Sequence, residues 1–437
     1  MTYAEAVARL LALRGGELAG MRPGLERIHA LLGAIGNPER AYRIVQVAGT
    51  NGKGSVSAML AAIFAAAGHR TGLLTSPHLR SFRERIRVNG VAIPEDDVVD
   101  GMESLGTLVA RLDATMFEAA TALALDHFAR SGVEIAVLEV GLGGRLDCTT
   151  VGEPVAEVIT RIDLDHQAFL GNTIAAIAGE KAAIIRSGVA LSALQEPDAA
   201  AVIAARAREV GVPLLVEGRD LQVAVRARSL EGQRLDLAGP DWRMDDVTCA
   251  LLAVYQASNA LLAAAAARAV GAGEAAIRRG LAHAQWPGRF QVVSGAEPGA
   301  PTATVVMDAA HNPAGARALA ASLRAYFPAR AITLVVGVFA DKDARGILEA
   351  LAPLATRVIC TASIHPRAAA PADLAALVPP GRARVETAGS VGEALDRALA
   401  ADPADVVCVA GSVSVVGEAL ARYGQPPDFL CGLAPGC

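Results

Sequence analysis

Aromatic residues make up only 4% of this 437-residue chain, and neither sign of charge dominates it. The formal net charge is -5, so no broad basic surface is implied and nucleic acid is not expected as a partner. The first residues, MTYAEAVARLLALRGGELAG, lack a basic n-region followed by an apolar h-region. They read as an amphipathic helix and not as a signal peptide. No cysteine pair has CxxC spacing. Cys148, Cys249, Cys360, Cys408, Cys431 and Cys437 are expected as reduced thiols of a cytoplasmic protein. Only residues 247–267 form an uncharged stretch of membrane length, and Gln256, Ser258 and Asn259 lie within it. Those polar groups would be costly in lipid, so the stretch is expected as a buried helix and no membrane is involved.

What the sequence does have is aliphatic: 53% of it is hydrophobic, largely alanine and small branched residues. That suits Ala-rich helices packed on Val/Ile strands, and the length suggests two domains. Strand-like runs alternate with helical patterns throughout, as expected of parallel sheets with crossover helices. YRIVQVAG leads through TNGKGS into VSAMLAAIFAAAG, with Gly68 as a helix stop. VEIAVLEVGLGG gives a buried strand ending at Glu139. PVAEVITRIDLDHQAFLG gives a strand expected to end near Asp165 and His166. Pro287-Gly288 breaks the helix expected over 277–284, and a new α/β series starts at QVVS. The predicted domains are therefore 1–288 and 289–437, the second with a short Pro/Gly-rich tail.

Gly49-Thr50-Asn51-Gly52-Lys53-Gly54-Ser55 lies between a strand and a helix. Glycines let backbone N–H groups turn toward phosphate oxygens, and the helix N-terminus adds a favourable dipole. Lys53 supplies a cation for the β and γ phosphates. The common P-loop has Ser or Thr directly after the lysine; here Gly54 intervenes. The loop predicts nucleotide binding and leaves the reaction open.

GTNGKGS followed by TSPHL, RERI, FE, LEVGLGGRLD, LDH, GEKAAI, PGRFQ, DAAHNP, DKD and GS resembles, in order, the folylpolyglutamate synthase / dihydrofolate synthase family of the Mur ligase superfamily. The resemblance implies a P-loop-type Mur ligase ATP-binding domain with a mostly parallel sheet, then a smaller Rossmann-like α/β domain. It implies a bifunctional ATP-dependent ligase that works through an acyl phosphate, with dihydropteroate and folyl-(poly)glutamate as acceptors and L-glutamate as donor. Extension of folylpolyglutamate alone, or another Mur-type amino-acid ligation, are the alternatives. Ser76, Glu139 and His166 would hold Mg2+ with ATP oxygens. Lys181, otherwise a solvated surface lysine at the start of a helix, would be carbamylated and bind a second Mg2+; carbamylation turns a cation that repels metal into an anion that ligates it. Asn259, Arg289 and Asp308 would contact ATP, and His311 would face the reacting centre with Ser412 on the glutamate side. Lys342 and Asp343 are further candidates there. Arg83, Thr115, Phe117 and Asp147 would lie on the folate side, with Asp147-Cys148-Thr149-Thr150 standing where the family has D-A-T-N. Stimulation by K+ and a monomeric state are also implied.

A peptidoglycan-type Mur ligase would need a uridine-nucleotide domain before Gly49. A kinase would have no use for the second domain with DAAHNP, and a non-catalytic ATP-binding protein none for the metal set.

Overall fold

The computed structural model describes residues 1–15, 22–293, 304–400 and 406–423. Cys431 and Cys437 lie outside the described residues. The first sheet contains β1 (Arg43–Ala48), β2 (Thr71–Leu74), β3 (Ile86–Val88), β4 (Val91–Ala92), β5 (Ile135–Glu139), β6 (Pro154–Ile159), β7 (Val189–Ser192) and β8 (Leu214–Val216). Their order is β4-β3-β2-β5-β1-β6-β7-β8. Pairings from β2 through β8 are parallel, and β3 and β4 add an antiparallel edge. All of β5, and β1 beyond Arg43, is buried, which is why these strands read as apolar runs.

Helices Lys53–Ala66 and Gln256–Ala269 lie in the core beside this sheet. Both are apolar nearly all round, as helices covered on every side must be. In the second, Leu261 and Leu262 are fully buried, each contributing about 2 kcal/mol of apolar burial. Residues 247–267 are thus not one helix. Val247–Cys249 end a strand, and the helix begins at Gln256. Among the described residues no helix is long and apolar enough to cross a membrane.

A meander of β9 (Gln222–Ser229), β10 (Gly232–Gly239) and β11 (Trp242–Cys249) follows, antiparallel throughout. It departs from the expected strand–helix alternation. The last sheet contains β12 (Gln291–Val293), β13 (Thr304–Asp308), β14 (Ile332–Val336), β15 (Arg357–Cys360), β16 (Arg384–Thr387) and β17 (Val406–Ala410), ordered β12-β13-β17-β14-β15-β16. It is parallel except for β12, which pairs antiparallel with β13.

Two local expectations need correction. β6 ends at Ile159, not near Asp165, because its partner β1 ends at Ala48. Lys181 stands in the last turn of helix Ile174–Ala182, not at a helix start.

Candidate active site

The strand ends of both large sheets face one cavity of about 1250 Å³. The glycine loop forms its floor. Gly52 takes a left-handed conformation and no side chain caps the helix after it, so the first-turn N–H groups point toward ligand space. Lys53 Nζ donates to the carbonyls of Gly49 and Thr50 at 3.1 and 3.3 Å. Burial pushes the Lys53 ammonium down, against the pull of Glu139 and Asp165. Asn259, 6% exposed, is no surface amide. Its Nδ2 donates to Gln256 Oε1 at 2.9 Å, and Gln256 Nε2 donates to Ser55 Oγ at 3.1 Å. A side chain at Gly52 would run into Asn259 Oδ1 at 2.7 Å, so helix and loop are seated directly on each other.

Glu139 ends β5 in the centre of the sheet. It accepts from Ser76 N at 3.1 Å, and burial pushes its carboxyl up despite nearby Lys53. Lys181 is 5% exposed and donates to Gly49 O at 2.7 Å. It is not the solvated lysine its sequence neighbours suggest. Burial, with Lys53 adding to it, pushes Lys181 down to about 7. Burial likewise takes the His166 imidazole down to about 4, although Asp165 opposes this.

The second sheet supplies Asp308 at the end of β13 and His311 just beyond. Asp308 accepts from Tyr255 Oη at 2.7 Å, Phe290 N at 2.9 Å and Ala310 N at 2.9 Å, and burial pushes its carboxyl up. Arg289 donates to Ala309 O at 3.1 Å. His311 Nδ1 lies 3.0 Å from Ala309 O, which can only accept, so that nitrogen is a donor there, and Nε2 lies 3.6 Å from Asp165. Ser412 caps helix Val413–Ala421 by accepting from Val415 N at 3.2 Å.

On the acceptor side, Asp147 accepts from Leu142 N and Thr149 N, each at 2.9 Å, and burial pushes it up. Thr115 caps helix Met116–Arg130 in a reciprocal pair with Glu118, and Phe117 lines the cavity beside it. Arg83 is not brought to the cavity. Its Nε donates to Ile93 O at 2.6 Å and its Nη1 lies 3.7 Å from Glu95. Arg80 and Arg85 line the cavity instead. Asp343 also faces away, capping helix Ala344–Leu351 through Gly346 N at 2.9 Å. The other anticipated residues all line the cavity.

Sequence reasoning missed the polar junction between the two sheets. Asp165 accepts from Lys342 Nζ at 2.7 Å and Asn312 Nδ2 at 2.9 Å, and Asn312 also pairs with Asn51. Burial alone would raise Asp165, but His311, His166 and Lys342 outweigh it and hold its carboxyl well below the usual range. Its place in LDH was the one available signal.

Among the described residues no three His, Cys, Asp or Glu side chains converge as a metal cage. Glu139, with Ser76 and His166 on the same cavity, fits a cation that keeps most of its shell from water and phosphate oxygens, as Mg2+ does.

A glycine loop on a parallel sheet, facing a second α/β sheet across a shared cavity, defines the Mur ligase class. The Mur ligase middle domain matches residues 47–267, and the Mur ligase, glutamate ligase domain matches residues 288–413. The dihydrofolate synthase/folylpolyglutamate synthase of Mycobacterium tuberculosis is 37% identical, covering 93% of this chain and 91% of its own. The probable bifunctional folylpolyglutamate synthase/dihydropteroate synthase of Haloferax volcanii is 41% identical over 96% of this chain, which spans only 50% of that longer relative. Mycobacterium tuberculosis folylpolyglutamate synthase complexed with ADP and AMPPCP superposes with a TM-score of 0.88 at 36% identity, covering 97% of this chain and 100% of that one. E. coli FolC in complex with DHPP and ADP gives 0.87 at 31% identity, covering 97% and 98%. The chain belongs to the folylpolyglutamate synthase/dihydrofolate synthase family of Mur ligases, which are ATP-dependent ligases.

Proposed function

We propose that this chain joins the amine of L-glutamate to the carboxylate of dihydropteroate, of folyl-(poly)glutamate, or of both, using ATP. One observation carries the reading: groups from both sheets, Lys53, Glu139, Lys181, Arg289, Asp308 and His311, converge on one cavity. At about 1250 Å³ it exceeds the usual single-ligand range of roughly 300–1,000 Å³, leaving room for nucleotide and acceptor together.

A carboxylate does not condense with an amine in water unless activated. In the proposed reaction the acceptor carboxylate oxygen attacks the γ phosphorus in line, and ADP leaves. Lys53 and Arg289 offset the charge on the transferring group. The neutral amine of glutamate then attacks the acyl carbon, and the C–O bond to phosphate breaks. His311 stands on the side of the second domain, where it can take the amine proton. Water must be kept out, since it would hydrolyse the acyl phosphate; the contacts between the two sheets serve that end.

Ser76, Glu139 and His166 would hold Mg2+, which supplies charge neutralisation at the triphosphate when bound. Lys181 supports the second part of the reading. Pushed down to about 7, much of it is uncharged amine at neutral pH, the form that takes up CO2. The proposal extends to Asn259 at adenine, Asp308 at the ribose, Thr115, Phe117 and Asp147 on the acceptor side, and Ser412 on the glutamate side. Two Mg2+, K+ stimulation and a cytoplasmic monomer follow from the family likeness.

The test uses ATP, Mg2+ and labelled glutamate with dihydropteroate, tetrahydrofolate or 5,10-methylene-tetrahydrofolate. ATP-dependent amide formation is expected, with oxygen-18 passing from the acceptor carboxylate into inorganic phosphate. No amide with any acceptor would reject the ligase reading, and amide without labelled phosphate would reject the acyl phosphate.

A further inference from the structure

We infer that Leu79 is a positioning residue: it fixes the loop carrying Ser76 and His78 to the second domain, so that docking of that domain sets the geometry beside Glu139. This rests on the proposed reaction and adds a residue to it.

Leu79 belongs by sequence to the first domain, yet it packs against the apolar cluster of the second, with Val415, Val416 and Leu420. Two glycines, one where the chain crosses between the domains and one in the second domain, make room for it. A Cβ on Gly417, in helix Val413–Ala421, would lie 2.3 Å from the Leu79 carbonyl oxygen. Backbone therefore rests on backbone there, and no larger residue fits without displacing the loop. A Cβ on Gly288 would lie 3.0 Å from Val416 Cγ1 and 3.1 Å from Leu79 Cδ2. Leu79 is thus held between the chain crossing from one domain to the other and a helix of the second.

The loop transmits this constraint because it is stiff. One carboxylate, Glu84, accepts from three successive backbone donors: Leu79 N at 2.7 Å, Arg80 N at 2.9 Å and Ser81 N at 2.8 Å. Upstream, Ser76 N donates to Glu139 at 3.1 Å, and His78 Nδ1 accepts from Arg85 Nε at 2.8 Å. A shift of Leu79 is therefore passed to Ser76 and His78 and not absorbed by a flexible turn. Leu79 itself need not touch substrate.

The test compares wild type, Leu79→Ala, Leu79→Met and Gly417→Ala in the glutamate-ligation assay, with nucleotide affinity and melting temperature measured alongside. Leu79→Ala empties the seat between Gly288 and Val416. Its kcat is expected to fall about tenfold to hundredfold, the scale of a misplaced reacting group, with affinity for ADP in the absence of Mg2+ unchanged. Leu79→Met conserves volume and is expected to recover most of kcat. Gly417→Ala, which forces the loop outward from the other side, is expected to reproduce the kcat loss. Full kcat in Leu79→Ala beside an active wild type would overturn the inference alone, as would a loss that Leu79→Met fails to recover. A loss of Mg2+-free ADP affinity matching the loss of kcat would also overturn it, since the strain would then reach the glycine loop and not the loop of Ser76. A wild type that forms no amide would overturn the proposed reaction and this inference with it.

Discussion

Gly54, the extra glycine after the loop lysine, offers a direct test of why this loop departs from the common pattern. It sits in the first turn of helix Lys53–Ala66, under the indole of Trp286. A Cβ added there would lie 2.7 Å from Trp286 Cζ2 and Nε1, whereas ordinary contact begins at 3.4 Å. Gly54→Ala must therefore open a gap of 0.7 Å (3.4 minus 2.7). The ring cannot easily give way, because it packs against the core formed by the first sheet and its helices. Overpacking of this kind costs about 1–3 kcal/mol. If the strain falls on the loop, where the helix N–H groups meet phosphate, nucleotide affinity drops roughly fivefold to hundredfold. Calorimetric titration with ADP and Mg2+ measures this directly. A smaller ring should relieve the clash, so Gly54→Ala with Trp286→Phe should bind better than Gly54→Ala alone. Wild-type affinity in Gly54→Ala, or a double variant no better than the single, would refute the argument that Trp286 dictates the glycine.

Three further outcomes follow from the geometry. Lys181→Ala should abolish ligation while leaving the fold intact, and added short carboxylates should restore part of it if a carbamate stands there; normal turnover in the variant would dispose of that assignment. Lys342→Met removes one partner of a largely buried pair with Asp165, 2.7 Å apart, and should lower unfolding stability by about 3 kcal/mol in denaturant titration; an unchanged midpoint would show that the pair contributes nothing. Burial pushes Glu157 up to about 7 from its usual 4.5, against the N–H groups of Ser187 and Arg186. Between those pH values the folded state keeps a proton that the unfolded chain has released. Its contribution to stability therefore falls as pH rises from about 4.5 through 7, by about 3 kcal/mol in all, and is flat above. Glu157→Gln should gain on wild type across that window, read as melting temperatures at pH 5 and pH 8, and a pH-independent difference would contradict the sign.

How far the sequence discloses such a site depends on how far apart its contacts lie along the chain. Lys53 was legible because strand, loop and helix are consecutive, and one local pattern specifies all three. Glu139 was legible because a carboxylate closing an apolar strand demands a partner. Lys181 was misplaced for the same reason in reverse. AIAGEKAAIIRSG contains no breaker between Lys181 and Ser187, so nothing local shows that the helix ends at Ala182 with the amine turned inward to Gly49. The end of β6 was misjudged because pairing with β1 fixes it, and beyond it Ile162 N turns to Gln195 and Asp163 to Thr50. The meander from Gln222 to Cys249 alternates inward and outward residues only in part, and charged pairs such as Arg226 with Asp236 obscure the period. The least legible contacts are those that join the two sheets. Asp165 meets Asn312 and Lys342, 147 and 177 residues away, and Leu79 meets Gly417 through a backbone approach that leaves no polar or charged signature. Parallel sheets bring their strand ends to one gap whatever the loops contain, so the site's position follows from topology. Which side chains bridge that gap depends on the relative placement of two independently built cores, and no local pattern encodes it.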